Sequence, residues 1–181
     1  MPKVNRCGQS AILTSGEMDL LFNSMSVQHR TVFAVCRYTA CRISEALSLK
    51  WRCVLDEHII LEKKCTKTKK TRQIPLHPEL KHQLDIWKKS TCSSDWVFPG
   101  STFSHLTRRS VDHALRKVCM SIGLQGVSTH SFRRSALTHA SDQGVPLRHI
   151  QSLSGHTSLD CLSQYLQVTD AQKRNVTLAF A

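Results

Sequence analysis

Thr129-His130-Ser131-Phe132-Arg133-Arg134, then Leu153-Ser154-Gly155-His156, then Gln164-Tyr165 are three pieces of one stretch, 129 to 165, around which the chain is organised. His130 and Arg133 are three apart and share one face if this is a helix start. Phe132, Ala136, Leu137 and Ala140 supply the inward side of a helix running from His130 to about Ser141. Gly144 ends it, and Pro146 opens another helix through Leu153. Gly155-His156-Thr157-Ser158 reads as a turn and cap, followed by helix from Leu159 to Leu166. Two histidines, an arginine and a tyrosine are the groups that phosphoryl transfer through a covalent tyrosine requires.

Upstream, Thr14-Ser15-Gly16-Glu17 is a capping box opening a helix with Met18, Leu20, Leu21 and Phe22 on its buried side. A second helix is expected from about Gln28 to Thr39, with Val32, Phe33, Val35 and Cys36 inward, and Tyr38 is read as packed. Arg42-Ile43-Ser44-Glu45-Ala46-Leu47 then begins a short amphipathic helix, closed by Trp51. Arg42 either pairs with Glu45 at the surface, a contact worth a few tenths of a kcal/mol, or has work elsewhere.

The period then changes. His58 to Glu62 and Arg72 to Leu76 read as a small antiparallel sheet with a hairpin between about Lys63 and Lys70. Six of the eleven residues from Glu62 to Arg72 are basic, namely Lys63, Lys64, Lys67, Lys69, Lys70 and Arg72. So much like charge at one tip points to contact with phosphate. Pro78 to about Lys89 is a helix using Leu80, Leu84 and Trp87, and a long helix from about Ser104 to Ile122 carries Arg108 and Arg109. The expected fold is therefore mainly α with a small antiparallel β-sheet, an α+β arrangement with no internal repeat.

The formal charge of +12 repels itself in a compact fold unless an anionic partner offsets it, and nucleic acid is the leading candidate over a merely basic soluble protein. No apolar run is long enough to span a membrane, and the N-terminus has no signal-peptide core, so a cytosolic location is expected. The eight cysteines include no C-x-x-C pair and no zinc-finger spacing; they are read as reduced, with Cys36, Cys41 and Cys119 in apolar helical patterns. No cofactor, metal or small-molecule substrate is expected.

Taken in order, Arg42 in R-I-S-E-A-L, a hairpin lysine eight residues before Pro75, His130-x-x-Arg133, Gly155-His156 and Tyr165 nine residues later resemble the catalytic domain of the tyrosine recombinases, or phage integrase family. The resemblance covers roughly residues 14 to 168 and implies that family's fold. It implies that Tyr165 attacks a backbone phosphate, leaving a 3′-phosphotyrosyl enzyme and a free 5′-hydroxyl. Arg42 and Arg133 match the arginines on the non-bridging oxygens, and Lys67 the lysine that protonates the leaving oxygen. Lys69 or Lys70 takes that place if the hairpin register slips. His130 and His156 match the residues that assist proton transfer and hold the phosphate, and Glu45 a supporting acidic position. His139 and His149 match nothing. Lys63, Lys64, Lys69, Lys70, Arg72, Arg108, Arg109 and Arg134 are expected to bind DNA.

The implied outcome is site-specific integration, excision or inversion, with double-stranded DNA as the partner and the host nucleoid, within the cytoplasm, as the place. Its rivals are a non-catalytic DNA-binding regulator and a topoisomerase of type IB chemistry. A homo-oligomer on DNA is expected, with residues 1–13 a mobile lead, 14–168 the catalytic domain, and 169–181 a tail docking in trans. Ala40 and the hairpin lack glycines common in the family, Phe132 replaces the usual leucine of H-x-L-R, and Ser154 replaces a leucine before Gly-His. The family's N-terminal core-binding domain has no counterpart in these residues, so the chain is expected to be either a naturally minimal recombinase or a fragment, and without that clamp weak, strongly salt-dependent DNA binding is expected.

Overall fold

The computed structural model describes residues 9–62, 70–91, 94–100, 104–163, 174 and 176–178. Helix α1 (Ser15–Asn23) starts at the expected capping box, in which Thr14 accepts from the Glu17 backbone N–H and the glutamate accepts from the Thr14 N–H at 2.8 Å. Helix α2 (Val27–Thr39) has five consecutive residues, Val32 to Cys36, with no exposure. Five successive buried positions turn every side of its middle toward other elements, and α2 packs against α3 (Ile43–Leu47), α4 (Pro78–Ser90), α5 (Arg108–Ser121) and α6 (Thr129–Asp142).

The pivot of this core is aromatic. The ring of Phe132 on α6 stacks on Phe33 of α2 at 4.2 Å between centroids, with Phe22 of α1 on its other side at 6.0 Å. The residue read as a departure from the family pattern thus joins three helices. It also fixes the rotation of α6, and with it the direction in which Arg133 points.

Helix α2 ends on Ala40, which adopts the left-handed conformation (φ 48°, ψ 30°). A non-glycine residue there carries strain of about 1–2 kcal/mol. The chain thereby turns directly into Arg42 and α3. Strands β1 (His58–Leu61) and β2 (Arg72–Pro75) pair antiparallel, Leu61 opposite Arg72 and Ile59 opposite Ile74. Ile59, Leu61 and Ile74 form the buried face, as the alternation requires. Tyr38 is packed as expected, its ring on that of His77 at 4.4 Å.

Several boundaries differ from the sequence reading. The helix expected from Ser104 begins instead at Arg108, where Thr107 caps Ser110 N–H at 3.1 Å. Residues 104–106 are occupied in a turn with Phe98–Gly100, through Gly100 N–H to Ser104 O at 2.7 Å and Leu106 N–H to Phe98 O at 2.9 Å. Trp51 does not close α3, which stops at Leu47; Trp51–Cys53 form a separate 3₁₀ turn tied to Asp95 O. The lead, expected to be mobile through residue 13, is docked from Gln9 onward: Ala11 N–H bonds Gly126 O at 3.0 Å, Leu13 N–H bonds Ser135 Oγ at 2.7 Å, and Leu13 is buried. Helix α7 (Leu147–Ser154) and helix α8 (Leu159–Ser163) complete the described chain. Cys36, Cys41, Cys53 and Cys119 are buried free thiols. No described helix is long and apolar enough to cross a membrane.

The aromatic stack is directly testable. Phe132→Ala should lower the unfolding free energy by about 3–5 kcal/mol, and Phe132→Leu, which keeps most of the volume, by less than about 1.5 kcal/mol. Urea titration followed by tryptophan fluorescence measures both, and equal small losses would show that the ring does not hold the three helices.

Candidate active site

Helix α3 is only five residues long, and what anchors its start is also what orders the site. Arg42 is the N-cap, and Glu45 at the third helical position accepts the Arg42 backbone N–H at 2.9 Å. The same carboxylate accepts from Arg42 Nη1 at 3.2 Å and from Arg72 Nη2 at 2.8 Å. Its side chain has no exposure, so an unpaired charge there would cost several kcal/mol. Two guanidinium groups offset that cost. The bland reading of Arg42, a surface pair with Glu45, is therefore half right: the pair exists, but its acid is buried and shared.

Arg133 rises from the buried face of α6 and is itself buried. Its Nη1 donates to Ala40 O, and its Nη2 to Ser154 O at 3.1 Å and toward His156 Nε2 at 3.0 Å. Burial, and then the charge of Arg42, push its pKa down to about 10, which leaves it cationic at neutral pH. His156 follows Gly155, the left-handed C-cap of α7 (φ 69°). The imidazole Nδ1 lies 2.8 Å from the hydroxyl of buried Ser154. Burial first, then Arg133, Arg42 and Arg72, lower the His156 pKa to about 4, so the ring is neutral at pH 7.

Residues separated by more than a hundred positions thus meet: Arg42 and Glu45 from α3, Arg72 from β2, Arg133 from α6, His156 after α7. Arg42 and Arg72 share the Glu45 carboxylate while Arg133 stands against His156, and the excess positive charge suits a bound anion. Beside them a cleft of about 490 Å³ is lined by Lys70, Arg148, Gln151, His156 and Thr157. Arg148 and Gln151 were not among the expected site residues; both sit on α7 within reach of the Gly-His turn, a placement that α7's apolar spacing alone does not single out. Ser154, read as a packing change, is a hydrogen-bonding partner of the site.

The remaining expected residues fall into three groups. His130 lies exposed on the first turn of α6, and Arg108 and Arg109 lie exposed on the first turn of α5. Arg72 and Arg134, expected to face DNA, do not. Arg72 turns inward to Glu45 and to Leu153 O at 2.8 Å. Arg134 is buried and holds the N-terminal lead, through Ser10 O at 2.5 Å and Gln9 Oε1 at 2.6 Å. In both, the terminal nitrogens donate to internal acceptors while Nε makes no hydrogen bond among the described residues, and Arg72 also forms part of the cleft wall. Lys63, Lys64, Lys67, Lys69 and Tyr165 lie outside the described residues.

The sequence profile described as the phage integrase family matches residues 11–172. Tyrosine recombinase XerC of Staphylococcus epidermidis is 26% identical over 174 residues, which are 90% of this chain and 58% of that protein. Tyrosine recombinase XerD of Oceanobacillus iheyensis is 28% identical over 181 residues, covering 91% of this chain and 60% of that protein. The crystal structure of XerA recombinase superposes with a TM-score of 0.80 at 20% identity, over 96% of this chain and 66% of that one. The chain spans about half the length of the curated relatives it matches.

Two measurements test this geometry. Because folding depresses the His156 pKa from 6.5 to about 4, the native state binds fewer protons than the unfolded one across that interval. Stability should fall as pH drops from about 6.5 toward 4, and His156→Gln should remove this part of the loss. Proton NMR should place the imidazole midpoint near 4 without DNA and higher with it, since phosphate offsets the arginines; a midpoint of 6.5 in the free protein would separate the ring from them. Arg134→Met should cost roughly 1–3 kcal/mol of stability while leaving the salt dependence of DNA binding unchanged.

Proposed function

The chain belongs to the phage integrase family, and from that premise we propose that it cuts and rejoins double-stranded DNA in site-specific recombination through a 3′-phosphotyrosyl intermediate. The observation that carries the proposal is the meeting of Arg42, Arg133 and His156 in one cluster, with Arg133 Nη2 3.0 Å from His156 Nε2 and Arg42 held by Glu45 beside them. These are the groups that the family's order assigns to the phosphate.

Attack by a phenol on a phosphodiester builds negative charge on the non-bridging oxygens. Fixed guanidinium forks stabilise that charge better than they stabilise the ground state, and one such donor is typically worth about 3 kcal/mol. Arg42 and Arg133 take this role. Both are held before substrate arrives, by Glu45 and by the Ala40 and Ser154 carbonyls, so little reorganisation is left to the reaction. Tyr165 supplies the nucleophile: its oxygen bonds to phosphorus as the P–O5′ bond breaks. A phenol with a pKa of about 10 needs help to lose its proton. Neutral His156 can accept a hydrogen bond or proton there, and His130 assists it. Lys67 delivers the proton that the leaving 5′-oxygen takes up. The phosphotyrosyl bond retains the energy of the phosphodiester, so the reverse attack by a 5′-hydroxyl reseals the strand without ATP.

The basic hairpin with Lys63, Lys64, Lys69 and Lys70, together with exposed Arg108 and Arg109, tracks the DNA backbone. The protein acts as a multimer on paired sites, each protomer supplying its own tyrosine. The tail from 169 docks on a neighbour, a reading supported by the exposure of Val176 and Leu178.

Covalent capture provides the test. A pool of nicked suicide duplexes, randomised in sequence, should yield a protein–DNA adduct that Tyr165→Phe abolishes. An adduct that survives Tyr165→Phe would move the nucleophile elsewhere, and no adduct from any duplex would favour a DNA-binding regulator. Neutralising Lys67, Lys69 and Lys70 together should flatten the slope of log affinity against log salt by roughly two to three; an unchanged slope would take the hairpin off the phosphate.

A further inference from the structure

Arg72 is the first residue of β2, opposite Leu61 in the hairpin, yet its side chain leaves the sheet. Nη2 donates to Glu45 Oε2 on α3 at 2.8 Å, and Nη1 donates to Leu153 O in the last turn of α7 at 2.8 Å. The side chain is only 9% exposed. It crosses Gly155 so closely that a Cβ built there would stand 2.8 Å from Arg72 Cδ and Nε. The glycine before His156 is favoured by its φ of 69°, and any side chain there would also displace the arginine lying over it.

Three separate segments meet on this one guanidinium: the strand that carries the basic hairpin, the helix that carries Arg42, and the turn that carries His156. Its two acceptors diverge, one a carboxylate and one a main-chain carbonyl, and a planar fork with several donors reaches both where an ammonium reaches one. We propose that Arg72 is a positioning residue, which fixes the His156 turn against the Arg42–Glu45 pair and ties the start of β2 to both without touching DNA. This rests on the reading of the cluster as a phosphodiester-cleaving site.

Arg72→Lys, which keeps the charge and loses the bridge, and Arg72→Met, which loses both, test the proposal in the full chain. Thermal unfolding and tryptophan fluorescence check that each variant is folded. Among the described residues, the charged groups that act on the imidazole are Arg133 of α6, Arg42 at the start of α3 and Arg72 itself. The His156 NMR midpoint should move up from about 4 toward 6.5 in both variants, in Arg72→Lys because the turn is released although the charge remains. Binding to a short random-sequence duplex should keep its affinity and its salt slope. Covalent capture on a duplex selected with the unmodified chain should fall on the order of 100-fold in both, the scale of an ångström-sized misplacement.

An Arg72→Lys chain with the original His156 midpoint would overturn the proposal, and so would a salt slope reduced by about one, the mark of a lost phosphate contact. If the unmodified chain forms no adduct, the recombinase reading fails, while the titration and the salt slope still decide the place of Arg72.

Discussion

The arrangement depends on one buried carboxylate. Glu45 is what allows two guanidinium groups to stand side by side next to a third, since unit charges about 4 Å apart repel by roughly 4 kcal/mol at the effective dielectric of a protein surface. It does so while also closing the first turn of α3, a helix too short to persist without such an anchor. Capping and charge balance are thus the same interaction. Removing the acid would free α3 and leave Arg42 and Arg72 without their shared counter-ion.

Beneath this cluster the protein is apolar and stiff. The stack of Phe33 on Phe132 sets α6 against α2, and that contact determines where Arg133 emerges. The strained turn at Ala40 then presents a carbonyl to the Arg133 guanidinium. A residue held in an unfavourable backbone conformation beside the candidate site is tolerated because both its neighbours, Thr39 and Cys41, are buried and the next residue, Arg42, is fixed by Glu45. The site residues sit at element ends, but their supports lie in the core.

The same packing explains why the free site is electrostatically biased. Arg133 remains charged despite burial, and His156 remains neutral because the arginines and burial act in the same direction on it. A phosphate bound there, as the proposed function requires, would relieve both, since its negative charge would compensate the arginines and raise the imidazole's affinity for a proton.

The sequence by itself determined the elements whose causes are local. The Thr14 box, the apolar run of α2 from Val32 to Cys36, and the alternating Ile59, Leu61 and Ile74 are readable because caps and periodicity act within a few residues. It did not determine where long side chains end. Arg72 and Arg134 sit in basic runs and look alike in sequence to any DNA-facing cation, and only tertiary structure turns them inward, to acceptors 27 to 125 positions away. The start of α5 was misread for a related reason: residues 104–106 have helical composition, but their main chain is already committed to Phe98 and Gly100. An arginine has several rotatable bonds and a donor fork that takes any buried acceptor it can reach. Which acceptor that is depends on packing between distant segments, and on this the role of Arg72 rests.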